Sequence, residues 1–188
     1  MHLLLAKVGN CSKLRLVRYA LDYANQGKSV LYVTTEENSH EITSAIYACS
    51  TALKCESAVK NIVIIEGTSP YDVVSEAKER NFDVVVIDTC ELLTLHNPNN
   101  YFILKNGLKD KIGIISEYCT RESGNGRVVP AYDRSVEYMD SISYLEREED
   151  GTFVETNLVG KNKNQTTEFI LEKATIMDGV EVPYLRNA

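Results

Sequence analysis

The chain has no C-x-x-C pair, no histidine cluster, no internal repeat, no low-complexity segment and no long apolar run. Each absence removes a class of function. The cysteines Cys11, Cys49, Cys55, Cys90 and Cys119 are odd in number and scattered, so neither a disulfide framework nor a thiolate metal site is expected, and they read as small buried side chains. His2, His40 and His96 lie in separate segments without the spacing of metal ligands. No stretch approaches the ~18 apolar residues of a bilayer span, and no charged region followed by a secretory hydrophobic run opens the sequence. A reduced, cytoplasmic setting without a membrane partner is expected, the host cytoplasm for a chain of viral origin. Positive charge is also scarce: the formal net charge is -7. Strong nonspecific binding to nucleic acid depends on Lys and Arg neutralising phosphates, so only a local basic patch could serve that purpose.

What is present is the pattern of an α/β protein. The 188 residues, 44% of them hydrophobic, suffice for one compact domain, 1–188. Short apolar runs at Leu3–Lys7, Ser29–Thr34, Asn61–Glu66, Asp83–Asp88 and Ile112–Glu117 read as strands buried on both faces. Helical periodicity separates them, at about Ser12–Gln26 with Gly27 as its C-cap glycine, Ser39–Leu53 with Ser39 as N-cap, Pro70–Arg80 and Asn100–Lys109. Strand and helix in alternation predict a parallel sheet over residues 1–122 with helices on both faces. Beyond a loop signal at 123–126, runs at Ser141–Arg147, Phe153–Lys161, Thr167–Lys173 and Val180–Pro183, with a turn at Glu149-Asp150-Gly151, predict a mainly antiparallel extension over 123–188.

Ligands of open α/β sheets bind at the carboxyl ends of the strands. After the first strand comes Lys7-Val8-Gly9-Asn10-Cys11-Ser12-Lys13-Leu14, which has the layout of a phosphate-binding loop, G-x-x-x-x-G-K-[ST], with several letters changed. Aligned on Lys13, Lys7 and Ser12 replace both glycines and Leu14 replaces the magnesium-binding hydroxyl. Gly9, Asn10, Ser12 and Lys13 are the candidate nucleotide-binding residues. Glu36 and Glu37 follow the second strand, Asp88 ends the fourth, and Glu117 to Arg121 follow the fifth. A lysine for phosphate, an aspartate toward Mg²⁺ and a carboxylate to orient water are the parts that phosphoryl hydrolysis needs.

Five segments in order resemble the RecA-like ATPases, most closely the RadA core and then the DnaB-type replicative helicases. Gln26 to Val33 followed by Glu36-Glu37 resembles the family strand ending in the catalytic glutamate, which Glu36 would match. Val84 to Asp88 resembles the Walker B strand, with Asp88 as the acidic residue that would face Mg²⁺. Thr120-Arg121-Glu122 resembles the T-K-E stretch, with Tyr118 where RadA-like proteins carry histidine. Tyr138 to Glu146 resembles h-M-V-D-T-V-L-Y-F-E, and Lys161-Asn162-Lys163-Asn164-Gln165-Thr166-Thr167 resembles K-N-R-F-G-x-T, whose basic residues act at subunit boundaries or on DNA. The resemblance implies a RecA-like P-loop fold, ATP and Mg as cofactors, and Arg121, Arg127, Lys161 and Lys163 as DNA or subunit contacts. A bland reading stands beside each: an aspartate closing a strand, a loop glutamate, exposed strand lysines.

The altered loop turns this expectation toward a pseudo-ATPase. Leu14 cannot coordinate Mg²⁺, and Ser12 carries a Cβ where close backbone approach is needed, so ATP and Mg are doubtful cofactors. Lys13 at a helix start still favours an anion. The expected function is a binding or assembly module of DNA replication, recombination or repair, with impaired or lost hydrolysis, whose partners are a replication or recombination protein, single-stranded DNA or a second copy. The alternative is a working Mg-ATP-dependent, DNA-associated ATPase using Lys13, Glu36 and Asp88. A third reading makes the chain a nucleic-acid-binding module through residues 121–127 and the two hairpin lysines. His96, Asn97, Asn99, Asn100 and Tyr101 stand near where family members contact DNA. The chain opens directly on the first core strand, and the preceding segment by which RecA-like assemblies grip a neighbour is not seen, so ring or filament formation by that route is not expected.

Overall fold

The computed structural model describes residues 1–35, 39–67, 69–95, 97–121, 128–130, 134–176 and 179–188. Its first strand, β1 (His2–Ala6), lies in the middle of a ten-stranded sheet. It is parallel to β5 (Ile112–Arg121) on one side and to β7 (Ser141–Arg147) on the other. Outward from β5 follow β4 (Val84–Ile87), β2 (Val30–Thr34) and β3 (Ile62–Glu66), all parallel. Outward from β7 follow β8 (Phe153–Val159), β9 (Thr166–Thr175) and β10 (Glu181–Asn187), all antiparallel, while a short β6 (Val128–Pro130) pairs antiparallel with β5.

Alternation along β1 shows why the sheet is covered twice. Leu4 and Ala6 point into one apolar cluster with Leu16, Val17, Leu21, Ile42 and Ile46 of α1 (Ser12–Asn25) and α2 (Ser39–Ala52). Leu3 and Leu5 point into the other, with Val73 and Ala77 of α3 (Pro70–Glu79) and Tyr101 and Leu104 of α5 (Pro98–Gly107). Successive side chains of a strand face opposite ways, so an uninterrupted apolar run needs helices on both sides.

Helix ends follow local chemistry. Gly27 sits past the end of α1 at φ 83°, donating its N–H to the Ala24 carbonyl, the left-handed position that glycine fills without strain. Ser69 caps α3 by accepting the Asp72 N–H at 3.2 Å, with Pro70 next. The fourth predicted helix begins earlier than periodicity suggested, because Asn97 accepts the Asn99 N–H at 3.0 Å and Pro98 occupies the first turn. Asn97 and Asn99 thus shape this cap, while the Asn100 amide donates to the Thr94 carbonyl at 2.9 Å. Ser39 is the first helical residue of α2 and not the residue before it. A short helix, α4 (Cys90–Thr94), and β6 were too brief for periodicity to reveal.

The strand β7 qualifies the division at residue 123. It belongs to the parallel set through β1, and the antiparallel set begins with its other neighbour, β8. Because β8 runs back, the β8–β9 turn, residues 160–165, lies at the amino ends of the parallel strands. Among the described residues no helix is long and apolar enough to cross a membrane.

Candidate functional site

The segment from Lys7 to Cys11 joins the carboxyl end of β1 to α1. It makes a turn in which the Asn10 N–H donates to the Lys7 carbonyl at 3.0 Å, and the Asn10 side-chain amide donates to the Leu145 carbonyl of β7 at 3.3 Å. Gly9 has φ 88° with open space where a Cβ would stand, so its backbone conformation, not crowding, calls for glycine. Cys11, immediately before the helix, has φ 58°, an uncommon value for a residue with a side chain. It offers no side-chain cap, and the first turn holds no acidic residue. Lys7, Val8 and Gly9 are exposed, whereas Ser12 and Lys13 are half-buried at the start of the helix. Leu14 packs with Cys11 against the cluster shared by α1 and α2. The position that carries a hydroxyl in an intact loop is therefore part of the core.

Asp88 stands at the carboxyl end of β4 with no exposed surface. Its N–H donates to the Val33 carbonyl at 2.9 Å, and its Oδ1 accepts the Thr89 hydroxyl at 3.1 Å. Thr89 is β-branched yet has φ 48°, a conformation that costs on the order of 1–3 kcal/mol and persists only where neighbours impose it. Those neighbours are visible: the Thr89 N–H donates to Ser116 Oγ at 3.0 Å, and the Thr35 hydroxyl reaches the Asp88 and Thr89 carbonyls at 2.7 and 3.1 Å.

On β5, Glu117 is opposite Leu5 of β1 and is 1% exposed. Its two oxygens accept the Tyr101 hydroxyl at 2.5 Å and the Ser135 hydroxyl at 2.9 Å. Burial, then the Glu117 charge, pushes the Tyr101 phenol far above its ordinary value. Tyr101 is fully buried and stacks on Tyr138 at 6.0 Å. This corrects its place near a DNA-contacting loop: it is a core side chain that holds a carboxylate.

The sheet brings some expected residues together and separates others. Lys13, Asp88 and Glu117 share the carboxyl edge. Lys161 and Lys163, exposed in the β8–β9 turn, occupy the opposite end of the sheet, so they do not share a surface with the loop after β1. Lys161 and Asn162 border a cavity of about 540 Å³ there, with His2, Tyr19, Tyr23 and Lys111. Arg121 closes β5 and does not follow it. Glu36, Arg127, His96 and the Arg121 side chain lie outside the described residues. Among the described residues no group of three or more His, Cys, Asp or Glu could hold a metal ion.

A second polar cluster has no motif to announce it. Arg15, on α1, is 7% exposed and donates from Nε to Glu155 Oε2 at 2.6 Å. Tyr19 and Ser143 donate their hydroxyls to Glu155 Oε1 at 2.5 and 2.6 Å. Ser143 gives its proton to Glu155, so His2 Nε2, 3.0 Å away, donates to the Ser143 oxygen, and in the neutral ring Nδ1 accepts from Ser141 at 2.8 Å. Burial opposes ionisation of Glu155, but Arg15 and the hydroxyls outweigh it and hold the carboxyl below its usual range. The guanidinium also covers the rings of Tyr19 and Phe169, at 3.7 and 4.4 Å. A lone glutamate in a strand pattern of alternating character was the available signal.

No family model matches the chain, and no curated protein matches its sequence. Solved structures do match its shape. The ATPase domain of a DnaB-like helicase superposes with a TM-score of 0.70 at 16% identity, over 96% of this chain and 83% of that one. The flagellar accessory protein FlaH from Methanocaldococcus jannaschii superposes with a TM-score of 0.71 at 12% identity, over 100% of this chain and 88% of that one. At such identities the likeness concerns the fold. The chain has a RecA-like α/β core, a mostly parallel sheet with antiparallel strands at its carboxyl-terminal side.

Proposed function

We propose that this RecA-fold chain is a pseudo-ATPase: a binding or assembly module that retains the phosphate-loop position without Mg-dependent hydrolysis. The observation that carries the reading is Leu14, whose side chain is packed into the α1–α2 cluster where an intact loop presents a hydroxyl to magnesium. The full burial of Asp88 beneath a constrained Thr89 supports it further. These residues fit an anion better than a metal ion. The start of α1 still offers backbone N–H groups, the positive end of the helix dipole and Lys13, so a phosphate group alone has a place to sit. ATP would then bind weakly and without gain from Mg²⁺.

The partner classes that suit this reading are a replication or recombination protein, single-stranded DNA and a second copy. Lys161 and Lys163 lie far from their own chain's loop, so they would act on a neighbour or on nucleic acid and not in cis. Arg121 and Arg127 stand in the proposal as contacts of the opposite edge.

Calorimetric titration with ATP, with and without Mg²⁺, and a phosphate-release assay with and without single-stranded DNA test the proposal. Weak binding indifferent to Mg²⁺ and no turnover are expected. Micromolar binding that requires Mg²⁺, with turnover abolished by Glu36→Gln, would instead establish the working ATPase built on Lys13, Glu36 and Asp88.

A further inference from the structure

The two edges of the sheet are built differently. The β10 edge, Glu181-Val182-Pro183-Tyr184-Leu185-Arg186-Asn187, carries a proline and charges within the strand. Those are the devices by which an edge strand is kept from pairing with another chain. The β3 edge has none of them inside the strand: Ile62-Val63-Ile64-Ile65 precedes Glu66, and among the described residues β2 is its only ladder partner. Its four aliphatic side chains are only half-buried although the strand is apolar on both faces. Beside it runs a groove of about 590 Å³ bordered by Ile46, Tyr47, Val59, Ile62 and Ile64, in which Tyr47 is 52% exposed.

The charges flanking this edge are arranged symmetrically. Lys60 precedes the strand and Glu66 ends it, both exposed and neither ion-paired among the described residues. Val63 is the midpoint between them. In an antiparallel pairing of two copies about Val63, Lys60 of each chain falls opposite Glu66 of the other, Ile62 opposite Ile64, and Val63 opposite itself. Residues alternate across a strand and directly opposed residues share a face. Lys60, Ile62, Ile64 and Glu66 therefore meet their counterparts on the α2 side, next to Tyr47. A parallel pairing in register would instead oppose lysine to lysine and glutamate to glutamate.

We propose that β3 is a self-complementary docking edge through which two copies of this chain join antiparallel about a two-fold axis, extending the sheet across both. Such an isologous contact closes on itself and stops at a dimer. It is independent of whether nucleotide binds.

Sedimentation velocity over a concentration series, on the full chain, tests this. A dimer is expected, with the amides of 62–66 gaining protection from hydrogen exchange as concentration rises. Lys60→Glu or Glu66→Lys alone places like charges at both symmetry-related positions and should weaken the dimer about tenfold or more. The double variant K60E/E66K restores opposite charges and should recover it. Both positions are exposed, so folding is preserved, and circular dichroism checks it. A chain that stays monomeric throughout, or a dimer whose strength ignores the single reversals, or one the double variant fails to restore, overturns the proposal. A monomer would leave this edge to an extended segment of another protein.

Discussion

Arg15 and Glu155 are 140 positions apart in sequence and are joined by a 2.6 Å hydrogen bond between Nε and Oε2 inside the molecule. One lies in the first helix after the candidate phosphate loop, the other in the second strand beyond β1 on the far side. The pair ties the loop's helix to the antiparallel half of the sheet.

Breaking that pair from one side leaves a buried charge without its counterion. Glu155→Ala or Arg15→Ala should each lower unfolding free energy by about 3–5 kcal/mol, whereas R15M/E155L, which removes both charges, should be far milder than the sum of the single changes. Urea denaturation of the four proteins forms the double-mutant cycle that measures it.

His2 gives the cluster a pH dependence. Burial depresses its pKa, Glu155 pulls upward against it, and Arg15 adds to the depression. The folded chain thus binds this proton less readily than the unfolded chain. The contribution is complete above the unfolded value of about 6.5 and is lost as pH falls through the lower folded value. Glu155, also depressed, adds a loss at lower pH, below about 4.3. Thermal melts between pH 7 and 5 should show a steeper fall of Tm for the natural chain than for His2→Gln.

Restoring the loop's hydroxyl should conflict with packing. Leu14→Thr removes apolar volume from the α1–α2 cluster and inserts a hydroxyl, at a cost of about 1–3 kcal/mol. If Mg²⁺ binding is limited by that residue, the same variant gains a Mg-dependent component of ATP binding in calorimetry. Lys13→Ala should abolish whatever phosphate binding remains, with or without Mg²⁺.

Tyr101→Phe deletes one donor to Glu117 while keeping the stacked ring. The expected loss is about 1.5–3 kcal/mol, typical of a hydrogen bond to a buried charged group. Loss of this size in chemical denaturation, together with an unchanged far-UV spectrum, identifies Tyr101 as support for the carboxylate.

Much of the fold was legible because its parallel strands are uninterrupted apolar runs. Leu3 to Ala6 and Val84 to Ile87 could only be strands covered twice, and Gly27 and Pro70 marked helix ends by conformational chemistry that needs no tertiary partner. The short α4 and β6 were not legible, since five and three residues hold too little periodicity. Tyr101 was misplaced for a different reason: an aromatic after an asparagine-rich segment looks the same in sequence whether it faces solvent or a buried carboxylate.

The residues alone determined the alternation of strand and helix, the order of the candidate motifs, and the substitution of Lys7, Ser12 and Leu14 in the loop after β1. These properties are set by local composition and spacing. Tertiary structure decided what the residues do together: that Leu14 turns into the core, that Lys161 and Lys163 stand at the opposite end from Lys13, and that Arg15 meets Glu155. Each depends on strand order and direction, and β7 running parallel beside β1 while β8 runs back is a choice made by packing across the whole sheet. No local pattern encodes it, because the side chains that meet there are brought close only after the sheet has formed.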